Sequence, residues 1–245
     1  FQACSALETL NLSSFNTENV TNMSNMFSDC EALTFLDLTS FNTKKVTTMY
    51  EMFKGCNALY SMTLNFNAPE VTTTYSMFRY CSSLTSLNLS SLNSKKLGNM
   101  DYMFDGCSKL ETLNLGGTFN TANTTLMRNV FADCSSLKTL DLSSFNTEKV
   151  LYMDNMFSGC SSLTSIDLSS FNTSIVRGME SMFSGCAKLN TLDLTSFKFW
   201  NKADLPDTEN MLNGLNSEGE IYDLYVTQAG YDFLTGKDDY GTGNF

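Results

Sequence analysis

Cys134–Cys160 reads CSSLKTLDLSSFNTEKVLYMDNMFSGC, and the whole chain is organised around versions of this sentence. Leucines follow the cysteine at three, six and eight residues. Phe-Asn-Thr comes next, then Val150, Met153, the pair Met156-Phe157 and the next cysteine. The eight cysteines, at 4, 30, 56, 81, 107, 134, 160 and 186, stand 26, 26, 25, 26, 27, 26 and 26 residues apart. A fixed period in this range is the mark of a stacked repeat.

Leu140-Asp141-Leu142 alternates apolar and polar, as a short strand with one buried face does. The two serines that follow make a bend. Both errors in the period fall there: one residue fewer between Leu64 and Phe66, and one more among Gly116, Gly117 and Thr118. Past Phe-Asn-Thr, apolar residues recur at spacings of three (Val20, Met23, Met26-Phe27, Cys30). Gly55, Gly106, Gly159 and Gly185 stand just before cysteines, where helix stops would stand, so Met26–Cys30 and its equivalents are expected to form about one helical turn. A lone repeat has nothing to bury its inward side chains against, so stacking must create the core. These features predict an α/β repeat solenoid with one short parallel strand and one short helical turn per repeat.

Eight repeats are expected over residues 1–196, the first beginning mid-repeat, because Phe1 falls at the Phe of the Met-Phe pair. The pattern decays after Leu194, so residues 197–235 are expected to cap the open end of the core, with a last strand at Ile221–Val226 and a short helix at Gln228–Leu234. Residues 236–245 read as a frayed tail or linker. A start inside a repeat suggests a piece of a longer protein, with targeting and anchoring segments outside it. The net charge is −11, of which −8 falls in residues 203–245. With no basic stripe, nucleic acid and acidic membrane surfaces are excluded as expected partners. No run of 18 apolar residues would insert this chain into a membrane.

One cysteine per turn, three after a Phe and three before a Leu, is the spacing of an inward ladder of free thiols. The asparagines of Phe-Asn-Thr are expected to stack as an amide ladder at a repeated bend. Between the strand leucines, Asp141, Asp167 and Asp193 end an outward column that reads as a solvated acidic face or a weak calcium site. Six residues before the cysteine stand Tyr50 and Tyr75, and five before it stands Tyr102, all expected to point outward. Tyr60, Tyr80 and Phe35 lie in the same middle repeats, so Tyr50, Tyr75, Tyr102, Tyr60 and Phe35 are the candidate binding residues. Asp101, Asp154 and Glu180 occupy the first of these places in other repeats and are expected to be solvated.

The pattern Met-Phe-x-x-Cys-x-x-Leu-x-x-Leu-x-Leu-x-x-Phe-Asn-Thr-x-x-Val-x-x-Met resembles the BspA-like leucine-rich-repeat surface proteins of bacteria, from Phe1 to about Leu194. Repeat three departs from it at Ala68-Pro69 and Thr74, and repeat five at Thr124 and Val130. The resemblance implies a leucine-rich-repeat right-handed coil, a secreted or wall-anchored location on a bacterial cell surface, and adhesion to host proteins or other cells.

The chain contains no histidine, which excludes Ser-His and Cys-His nucleophile pairs, so no enzyme is expected and no cofactor beyond weak calcium. The leading expectation is a binding module, an adhesin for an extracellular protein or glycan. A structural stalk or spacer displaying another domain is the alternative, as is a glycan-binding appendage of a secreted enzyme.

Overall fold

A computed structural model describes residues 1–198, 206–215, 223–228, 230 and 234. The return path, expected to close in a helical turn, is a run of tight turns, and the described residues of the eight repeats contain no helix. The reason lies in where the amides point. In the coil ending at Cys30, Met23, Asn25, Phe27 and Asp29 donate to the carbonyls of Thr48, Tyr50, Met52 and Lys54 in the next coil, at 2.7–3.1 Å. Between them, Met26, Ser28 and Cys30 donate three residues back within their own coil. An α-helix needs each interior amide for a carbonyl of its own segment, so a chain that sends every second amide to its neighbour cannot be one.

The four-bond set recurs down to Met179, Ser181, Phe183 and Gly185, which reach Asp207, Glu209, Met211 and Asn213. With it runs an unbroken line of parallel bridges through Asn22, Thr48, Thr73, Asn99, Leu126, Tyr152, Gly178 and Asp207. This spine turns so tightly that two places per coil have positive φ, as at Asn25 (57°) and Asp29 (59°). Gly55, Gly106, Gly159 and Gly185, at φ 70–75°, are therefore not helix stops. Each is the third residue of a four-residue turn that needs positive φ.

On the opposite side, β1 (Phe35–Leu38) pairs in parallel with β2 (Ser61–Leu64), β3 (Ser86–Asn88) with β4 (Thr112–Asn114), and β5 (Thr191–Asp193) with β6 (Asp223–Tyr225). The expectation of a strand in every repeat is thus met only in part, since residues 10–12, 140–142 and 166–168 carry none. Where strands pair, the outward neighbours are compatible: Thr63 donates to Asp37 at 2.9 Å, and Asn88 faces Asn114. From Asp141 to Asp167 to Asp193 the neighbours would be carboxylates, and like charges directly opposite destabilise a pair. β6 lies within the strand expected near the C-terminus, and Gln228, Gly230 and Leu234 are helical. Ile221, residues 199–205 and the tail from 235 lie outside the described residues.

The core is one continuous cluster of Leu, Met, Phe, Val and Cys. Its largest column is Phe1, Phe27, Phe53, Phe78, Phe104, Phe131, Phe157 and Phe183, stacked nearly parallel at 5.2–5.7 Å. The cysteines are free; Cys4 is exposed and the other seven are buried. Each buried thiol donates to the carbonyl of the Phe in the preceding coil, from Cys30 to Phe1 through Cys186 to Phe157, at 3.0–3.3 Å. Cysteine suits the place because it is a small hydrophobe with one weak donor.

At the Phe-Asn-Thr bend the ladder belongs to threonine, not asparagine. The Thr147 hydroxyl donates to the carbonyl of Asn172 at 3.0 Å and accepts from the Asn172 amide at 2.7 Å. Thr17, Ser94 and Thr121 do the same one coil on. The asparagine turns outward and accepts from the amide two residues on, as Asn146 does from Glu148 at 2.9 Å. The shorter side chain fits the closed bend; the longer one caps it locally.

The thiol column makes stability fall at alkaline pH. Burial pushes Cys56 and Cys186 up to about 12, and Cys81, Cys134 and Cys160 well above their ordinary value of 9.0. The unfolded chain ionises first, so the contribution is fully present below pH 9 and is lost between the unfolded and folded values. Each pH unit in that window costs about 1.4 kcal/mol per thiol. The melting temperature should be level below pH 9 and drop steeply above it, and a thiol reagent should find one reactive group in the native protein and eight in denaturant. A melting temperature level to pH 11 would refute this account.

Candidate recognition surface

Six residues before each cysteine, the backbone carbonyl serves the spine while the side chain faces away from the core. The spine does not use the amide at this place. Side-chain oxygens two residues earlier take it instead: Asn22 for Ser24, Thr48 for Tyr50, Thr73 for Tyr75 and Asn99 for Asp101, at 2.8–3.3 Å. The side chain there is therefore released from the fold in most coils, and tyrosine can occupy it.

Tyr50 and Tyr75 stack face to face at 5.0 Å with 5° between their planes, and Tyr102 meets Tyr75 edge-on at 5.6 Å. Tyr50 is 38% exposed, while Tyr75 and Tyr102 are half-buried by their neighbours, less open than their periodicity suggests. The column continues through a residue that sequence reading passed over. The Arg79 guanidinium lies 4.6 Å from the ring centres of both Tyr80 and Tyr102, donates to the Tyr80 hydroxyl at 2.8 Å, and is paired with Asp105 at 2.7 Å. Burial, then Glu51, raises the Tyr50 phenol; burial, then Tyr75, raises that of Tyr102, so both stay neutral donors. Tyr80 and Tyr102 both sit at φ 61°, in the positive-φ places of the turns. Tyr80 displacing the usual glycine before Cys81 was the signal in the sequence that an aromatic was being placed there against local preference. Phe35 and Tyr60 are exposed at the start of the strand segments and make no ring contact with the column.

Beyond Tyr102 the surface changes character. Arg128 lies between Asp101 (3.1 Å) and Asp154 (3.4 Å), with its guanidinium 3.9 Å over the Tyr152 ring. Glu180 follows, its carboxyl raised by partial burial and then by Asp207, Glu209 and Asp154. On the strand side, Asp141, Asp167 and Asp193 are exposed, and each accepts from the backbone amide two residues on at 2.9 Å. Side-chain and backbone hydrogen bonds from Ser143, Ser169 and Thr195 hold them below the usual carboxylate range, while Asp141 opposes Asp167 and Asp167 opposes Asp193. Among the described residues, no three acidic or cysteine side chains converge as a metal site would require.

The family model described as "Mycoplasma protein of unknown function, DUF285" matches residues 1–116 and again 99–222. The chain belongs to this family. No curated protein matches it. Among solved structures, it is similar to a leucine-rich cell surface protein from Faecalibacterium prausnitzii, at 15% identity over 92% of this chain and 81% of that one, TM-score 0.37. It is also similar to a leucine-rich-repeat protein from Bacteroides ovatus (18%, 93% and 80%, TM-score 0.36) and to an internalin from Listeria monocytogenes (14%, 87% and 49%, TM-score 0.35).

In this DUF285 chain, Asp101 and Asp154 are not the solvated carboxylates that their place in the repeat suggested. Leu126 and Gly178 carry no oxygen, so the amides of Arg128 and Glu180 turn to the carboxylates of Asp101 and Asp154 one coil back, at 2.6 and 3.2 Å. A Cβ on Gly178 would run into the Asp154 carboxylate, which ties the glycine to the aspartate. Asp101 is only 4% exposed. Asp101→Ala should cost about 2 kcal/mol by leaving the Arg128 amide without its acceptor, while the guanidinium keeps Asp154. Glu180→Gln should stay within about 0.5 kcal/mol. Urea unfolding measures both, and equal effects would contradict this assignment.

Proposed function

We propose that this chain is a non-catalytic recognition module on a bacterial cell surface, an adhesin of the BspA-like kind, whose Tyr50–Tyr75–Tyr102 edge contacts an extracellular protein. The observation behind this reading is the pair Tyr80 and Tyr102 at positive φ. Other coils fill those places with Gly, Asp, Asn, Ser, Ala or Glu, none of them aromatic, and a bulky residue there costs on the order of 1 kcal/mol or more. What the two rings add to the solenoid is an enclosure for Arg79, which the other coils do without. A surface that contacts a partner does gain, since tyrosine joins apolar area to a hydroxyl with few rotors. An inert spacer has no use for strained tyrosines. A sugar platform needs open ring faces, whereas Tyr75 has neighbours on both sides, so a protein suits the column better than a glycan. Phe35 and Tyr60 would join only with a partner that reaches round to the strand side.

Two substitutions separate binding from folding. Tyr80→Gly with Tyr102→Asn restores the residues found at these places in other coils. The double variant should melt at or above the parent's temperature while losing most affinity for any ligand found in a screen of matrix proteins and glycans. Undiminished binding would remove the tyrosines from the account.

Weak calcium binding along Asp141, Asp167 and Asp193 is a secondary proposal, supported by the mutual repulsion of these carboxylates. Calcium should raise the melting temperature more than sodium chloride of equal ionic strength, and Asp167→Asn should remove the difference. Equal melting in both salts would dismiss it.

A further inference from the structure

The tyrosine column has an open end. Tyr75 has a ring to either side, but the place that precedes Tyr50 by one coil holds Ser24, whose hydroxyl lies 3.0 Å from that of Thr48. Among the described residues, Tyr75 is the one ring stacked on Tyr50, and no guanidinium covers it. Since neighbouring rings of the column stand 5.0 Å apart, the serine leaves a slot one ring thick against the outer face of Tyr50.

The chain itself shows which flat group its tyrosines accept. Arg79 lies between two rings, and Arg128 lies on a third at 3.9 Å. The attraction of a cation to a ring face is general, and a guanidinium adds a plane that stacks, which an ammonium lacks. We propose that the slot above Ser24 receives an arginine side chain of a partner protein, its guanidinium lying flat on the free face of Tyr50. This rests on the recognition reading above and names the chemistry of the partner.

The test needs no natural ligand, so it stands or fails apart from the adhesin reading. The chain, with ring-labelled tyrosine, is titrated by NMR with N-acetyl-argininamide, and with N-acetyl-lysinamide and N-acetyl-tyrosinamide at equal ionic strength. Argininamide should shift the Tyr50 ring signals saturably in the millimolar range, at least tenfold more tightly than either control. Ser24→Tyr, which fills the slot with the residue already carried by the next two coils, should abolish the response without lowering the melting temperature. If that variant does not fold, Tyr50→Ser removes the ring face instead, and the protons of argininamide should then lose their own ring-current shift. An equal response to lysinamide would mean counterion attraction alone, and one to tyrosinamide would mean an aromatic slot; either overturns the proposal. So does a Ser24→Tyr protein that responds as the parent does, or a Tyr50→Ser protein that leaves the argininamide shift intact.

Discussion

Everything in this fold depends on the division of the return-path amides into two alternating sets. One set closes turns within the coil, and the other crosses to the next coil. The alternation holds Phe, Met and Cys inward and sets the rise from coil to coil. It also explains why the chain tolerates a broken sheet. The strand side is paired at only some steps, yet the coils stay in register because the spine has no missing rung from Met23 to Gly185. In a more familiar parallel sheet the strands would carry that duty; here they are the looser side.

The same alternation decides which side chains are free to vary. Two places per coil take positive φ, and in most coils one amide finds a side-chain oxygen. Where the local oxygen is absent, beside Leu126 and Gly178, an aspartate from the preceding coil supplies it. The outer edge of the spine is thus partly structural and partly released. Its middle coils use the freedom for tyrosine, and its later coils use it for an ion-paired arginine and then for acids. That change along one edge, from aromatic to charged, distinguishes this surface from the near-identical coils that build it.

Periodicity exposed the stacking, the inward column of each Phe and Cys, and the outward aspartates. It misjudged features that depend on hydrogen-bond direction. Met26–Cys30 has helical spacing and a glycine stop in other coils, but spacing cannot tell an amide that bonds within a coil from one that crosses to the next. Asn and Thr of Phe-Asn-Thr recur alike, and their roles were exchanged because only the closed bend selects the shorter side chain. Tyr50 and Tyr75 were legible because they interrupt a polar column. Arg79 was not, since its place two before the cysteine varies among glutamine, lysine, serine, alanine and aspartate, and its meaning comes from a ring one coil away. Asp101 looked solvated because its role is set by Leu126, a residue in another repeat.

The spine bonds run along the stack, from one coil to the next. A pull on the two ends of the solenoid therefore meets them end-on, four at a time, instead of shearing a long row at once. Coils would peel away singly, each releasing about 26 residues, or roughly 90 Å of extended chain. Under load, such a stack is expected to yield by lengthening in steps of one coil. Its compliance is set by the spine, whatever the tyrosine edge holds.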